Sequence, residues 1–69
     1  MEDFKINLVG EELTIVANDS ESFTVFAGER RVCELFPEQA DEGTIWTTFD
    51  LIDPDYAKQI GELIEEHYL

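Results

Sequence analysis

The chain has 69 residues, of which seventeen are Asp or Glu and four are Lys or Arg, giving a formal net charge of −13. That length holds one domain, 1-69, which buries only about 60% of the surface its unfolded chain exposes. Clustered Lys and Arg are needed to grip phosphate or an anionic membrane surface, so the charge argues against direct binding to nucleic acid or membrane. An apolar content of 43% argues against a disordered chain.

The opening stretch Met1-Glu2-Asp3-Phe4-Lys5 lacks the basic and apolar regions of a secretory leader. No apolar run approaches the roughly 20 residues of a membrane span. The single cysteine, Cys33, excludes an intrachain disulfide, and no Cys/His spacing suits zinc. The expected compartment is therefore a reducing cytoplasm, and the expected support for so small a core is packing or association.

Phe4-Lys5-Ile6-Asn7-Leu8 and Leu13-Thr14-Ile15-Val16-Ala17 alternate apolar and polar residues, which predicts strands near 4–9 and 13–17. Gly10-Glu11 suits a two-residue hairpin turn that places Leu8 opposite Leu13 and Ile6 opposite Ile15. A polar turn at 18–22 precedes strands near 22–27 and 31–36, joined around Gly28-Glu29. Their register is open: a two-residue loop pairs Val25 with Val32, and a three-residue loop pairs it with Cys33. Pro37 to Gly43 reads as a loop. Thr44-Ile45-Trp46-Thr47-Thr48-Phe49, dense in β-branched and aromatic residues, reads as a strand near 44–49.

A helix near 54–67 closes the chain. Asp53 can cap it, Pro54 fits the first turn, and Asp55 complements the positive end of the helix dipole. Tyr56, Ile60, Leu63, Ile64 and His67 recur at helical spacing. Gly61 weakens a helix interior by about 1 kcal/mol against alanine, which suggests a close approach of helix to sheet. Glu65 and Glu66 sit unfavourably at the negative end, where fraying is expected. The predicted fold class is α+β: an antiparallel β-meander of four to five strands, then one C-terminal helix packed on one sheet face.

This element order, strands followed by one helix, resembles that of the Pur-alpha repeat and of the single-strand-binding domain of transcriptional coactivators. The resemblance is one of element order and implies dimerisation and nucleic-acid binding. The bases for the latter are four residues only: Lys5, Arg30, Arg31 and Lys58.

Chemistry-bearing constellations are sparse. His67 stands alone near the helix end, and Cys33, with Arg31 two residues away on the same face of the strand, reads as a small buried hydrophobe. Asp50, Asp53 and Asp55 cluster without calcium-loop spacing. No catalytic residue, metal ligand or cofactor is expected, and an enzyme is not expected. The candidate partner-binding residues are Trp46, Val16 and Phe26: if Ile45, Thr47 and Phe49 face the helix, Trp46 points to the open face with the other two. The function that follows is a small acidic protein-interaction module, binding a protein partner or forming a homodimer through that face. The alternative is an acidic nucleic-acid mimic occupying a basic site on a DNA- or RNA-binding protein.

Overall fold

Alternating residues build the first hairpin from strands β1, Asp3–Leu8, and β2, Glu11–Ala17, in the computed structural model of the chain, which describes residues 3–68. Met1 and Glu2, part of the leader reading, lie outside the described residues, as does Leu69. Phe4 pairs with Ile15 and Ile6 with Leu13, so the turn is Val9-Gly10 and not Gly10-Glu11. Both turn residues have positive φ, 51° and 82°, as a type I′ turn requires. Asn7 Oδ1 accepts the Gly10 N–H at 3.1 Å, which favours this turn over its neighbour. The observed register differs by two residues from the expected one. A shift of two leaves every side chain on its own face, and Ile6, Leu13 and Ile15 are all buried.

Strand β3, Phe23–Ala27, and strand β4, Arg30–Ala40, meet at Gly28-Glu29. Ala27 pairs with Arg30 and Phe26 with Arg31; a bulge then passes over Val32 and sets Val25 opposite Cys33. The two-residue loop and the Val25–Cys33 pairing therefore coexist, because the extra residue sits in the strand and not in the turn. Val25, Cys33 and Leu35 are driven fully inward. Arg31 lies opposite outward Phe26, on the other side of the bulge from inward Cys33, so the two do not share the face that alternation suggests.

β4 does not stop before Pro37. It runs through the segment expected to be a loop and pairs from Phe36 onward with strand β5, Gly43–Thr47. β3 accompanies β4 only as far as Leu35, so beyond it β4 has a single neighbour among the described residues. The two-residue connection makes Ala40 and Gly43 a mutually bonded pair, and alternation makes Pro37–Trp46 a non-bonded one. The Pro37 nitrogen thus points away from β5, where a missing N–H removes no ladder bond.

The sheet order is β1-β2-β3-β4-β5, antiparallel and curled, and helix α1, Pro54–Tyr68, packs against it. Asp53 starts the helix as expected: its Oδ1 accepts the Asp55 N–H at 2.8 Å, and its carbonyl accepts that of Ala57 at 3.1 Å. Ala57, Ile60, Gly61 and Ile64 are buried against Ile6, Leu13, Ile15, Val25, Cys33 and Leu35. The helix touches β1, β4 and β5, and so spans the two outermost strands of the curl. Near its end the His67 ring stacks on Phe4 at 3.8 Å, and the helix continues to Tyr68 despite Glu65 and Glu66. Burial pushes the Cys33 thiol up to about 11, which leaves it unreactive in the folded state.

Candidate functional site

The phase of β5 decides which side chains the molecule displays. The expectation that Trp46 lies on the open face, with Ile45, Thr47 and Phe49 toward the helix, is reversed. Trp46 is half-buried and packs against the core. A Cβ placed on Gly61 would collide with its indole carbons, so the glycine leaves the slot that the indole fills. Phe23 closes the other side, its ring 5.7 Å from that of Trp46. Burying the largest side chain of the strand outweighs burying Ile45, and a turn at Asp41-Glu42 sets the phase accordingly. One polar atom goes unmatched: the indole N–H is buried with no hydrogen-bond partner among the described residues. Trp46 is therefore removed from the candidate surface.

Val16 and Phe26 do lie on the side turned from the helix, alternating with inward Ile15 and Val25. Both are half-buried. Val16 sits between Asp3 and Thr24, and Phe26 between Thr14 and Arg31. Next to them is a polar patch. Ser22, almost fully buried, donates to Glu34 Oε2, and the Asn18 amide donates to Thr24 and Ser22. The three residues named from the sequence are thus not one site.

A different apolar group occupies the outer side of the β4–β5 end. Phe36 lies across from Thr47, which makes Ile45 its diagonal neighbour. Phe49 meets Phe36 edge-on, with ring centroids 5.4 Å apart, and is itself 90% exposed. Leu51 is fully exposed, and Ile45 is 54% exposed. Phe36, Ile45 and Phe49, followed along the chain by exposed Leu51, make up a ridge that the core leaves outside.

A polar clasp holds that ridge in place. Between β5 and α1 the residues alternate, with Thr48, Asp50 and Ile52 turned in and Phe49 and Leu51 turned out. Arg31 grips the Asp50 carboxylate with both guanidinium nitrogens, Nη1 to Oδ1 at 3.0 Å and Nη2 to Oδ2 at 3.2 Å. The Glu34 backbone N–H donates to Oδ2 at 2.9 Å, on the edge of β4 that β5 does not reach. Thr48 Oγ1 donates to Oδ2 and accepts the Asp50 N–H. Hydrogen bonds from Arg31 and then from the Glu34 amide hold the Asp50 carboxyl below its ordinary range, and the same contact raises the Arg31 guanidinium.

The aspartates that cluster in the sequence are thus put to separate uses. Asp50 ties the connection to β4, and Asp53 caps the N–H of Asp55. Tyr56 donates to Glu11 Oε1 at 3.2 Å; desolvation first, and that bond second, raise its phenol. Among the described residues no pocket is present, and no three His, Cys, Asp or Glu side chains are grouped to hold a metal ion. Among them, too, no helix is long and apolar enough to cross a membrane. The ridge is hidden in the sequence when Phe49 is read as the inward end of a strand. The signal present there is the spacing of Phe49 and Leu51 on either side of Asp50. No protein-family model, no curated protein and no solved structure matches this chain.

Proposed function

We propose that the chain is a non-enzymatic protein-interaction module that docks through the ridge of Ile45, Phe49 and Leu51. The observation that carries this reading is the pairing of two almost fully exposed large apolar side chains with a clasp that holds their backbone. Burying such a side chain is worth about 1.5–3 kcal/mol, so leaving two outside forgoes stability that a domain of this size needs. A loosely held connection could fold them back. Asp50, bonded to Arg31, Glu34 and Thr48, opposes that collapse. Large apolar side chains left exposed on a fixed backbone are a common mark of an association surface.

The test is the double variant Phe49→Ser, Leu51→Ser. Circular dichroism and urea unfolding should match the parent, while association, with a second copy by sedimentation or with a captured protein, should be lost. Equal association by parent and variant would sink the reading.

A further inference from the structure

We infer that the ridge is occupied by a basic protein surface carrying apolar side chains at its centre, and not by a second copy of this chain. The inference rests on the docking reading above and concerns the chemistry of the occupant. A standard interface covers about 800 Å² on each partner. The described surface totals 4945 Å², so such a footprint takes roughly a sixth of it and extends well beyond the ridge.

The border it would reach is acidic. Glu38 is the cross-strand partner of Ile45, Asp41 and Glu42 form the tip of the same hairpin, and Asp53 follows Leu51 by two residues. All four are exposed. The cations offset them only in part. Arg31 is bound by Asp50, and Lys5 faces Glu12 at 3.6 Å on the first hairpin. Arg30 starts β4 next to Arg31 and so lies at the Asp50 end of the ridge, a single charge against the four carboxylates. Lys58 is on the helix.

A second copy laid on the ridge would bring the same carboxylates against these, within the roughly 8 Å over which charges act at physiological salt. Each copy would also carry a net charge of −13. A partner with Lys or Arg around an apolar centre meets the opposite situation. Its charges find partners at the border, and its apolar residues cover Phe49 and Leu51.

The experiment uses the full chain, isotope-labelled, with three probes: an amphipathic lysine–leucine peptide, its glutamate–leucine counterpart, and polylysine. Amide shifts map the contact, and sedimentation reads self-association. The lysine–leucine peptide is expected to shift Ile45, Phe49, Leu51 and Glu38. Its affinity should fall about tenfold or more in Phe49→Ser, Leu51→Ser, and several-fold in Glu38→Gln, Asp41→Asn, Glu42→Gln, as central anchors and rim charges respectively do. Raised salt should weaken it without abolishing it.

A concentration-dependent dimer that the serine variant abolishes would overturn the inference and leave the docking reading intact. So would equal binding of the glutamate–leucine peptide. Polylysine binding as tightly as the lysine–leucine peptide and indifferent to the serine variant would overturn it in favour of the acidic surface alone, as in a nucleic-acid mimic. Absence of any ridge contact, with peptide or with a second copy, would remove the docking reading itself.

Discussion

Ile45 and Trp46 are neighbours in one strand, and the molecule treats them in opposite ways. Toward the helix, Trp46 fills a slot left by Gly61, with Phe23 against its side. Away from the helix, Ile45 joins Phe49 and Leu51 in the open. The inner side is organised by volume: side chains fill the space between helix and sheet, and one glycine is needed to make room. The outer side is organised by hydrogen bonds, which hold the backbone and leave the apolar side chains unused. Substitutions on the two sides should therefore show in different measurements, stability for the inner and association for the outer.

The largest effect is expected at Trp46. Trp46→Ala should destabilise the domain by about 3 kcal/mol in urea unfolding, a large share of what so small a domain has. Trp46→Phe should cost far less, because the lost ring area is partly offset by removal of the unbonded indole N–H. A cost for Trp46→Ala within about 0.5 kcal/mol of zero would erase the distinction between the two sides.

Gly61→Ala comes next. A better helix former gains about 1 kcal/mol, but a Cβ that collides with the indole forces the helix away from β5. Overpacking costs about 1–3 kcal/mol, so net destabilisation is expected in the same assay. In a Trp46→Ala background, Gly61→Ala should become stabilising. That reversal of sign would locate the strain at this one contact.

The clasp links the two sides and brings a pH dependence. The Asp50 carboxyl lies below its ordinary value when folded, so the folded state holds fewer protons there than the unfolded chain. Its contribution is complete about a unit above the unfolded value of about 3.9, and is lost as pH falls through the folded value. Between about pH 5 and 3, the melting temperature should fall less steeply for Asp50→Asn than for the parent, apart from the other carboxylates that both share. Parallel curves would show that the clasp adds nothing to stability. Because Arg31 and Asp50 are both partly exposed, added salt should narrow the difference.

The smallest effect on stability is expected at Phe49→Ser and Leu51→Ser, within about 0.5 kcal/mol of the parent. Substitutions this quiet in unfolding, yet decisive for association, would sharpen the contrast with Trp46 to its limit.

How far the sequence discloses this fold depends on the kind of signal each element carries. The helix start is legible because Asp53, Pro54 and Asp55 act through local backbone chemistry. The faces of β1 and β2 are legible even with their turn misplaced, since a two-residue slip preserves parity. At β5 parity itself is lost. Ile45 and Trp46 are both apolar, so alternation names no inward member, and the choice rests on a glycine fifteen residues later. The β3–β4 bulge is invisible for a related reason: Val32 and Cys33 are equally acceptable inside, and only the whole sheet selects between them. Pro37 signals a loop in the sequence, because its tolerance in β4 depends on where β3 ends. The clasp joins Arg31, Glu34 and Asp50 across sixteen residues or more, and no local pattern announces such a contact.

The placement of Pro37 also bears on the open edge of the sheet. Past Leu35 one side of β4 is unpaired among the described residues, and an unpaired row of N–H and C=O groups is a template for a further strand from another molecule. At that row the donor of residue 37 is missing altogether. Glu38, the next residue, points its own N–H and C=O at Ile45 and so adds neither to that row. The residue that looks like the end of the strand thus leaves the half-covered row one donor short, where a further strand would otherwise bond.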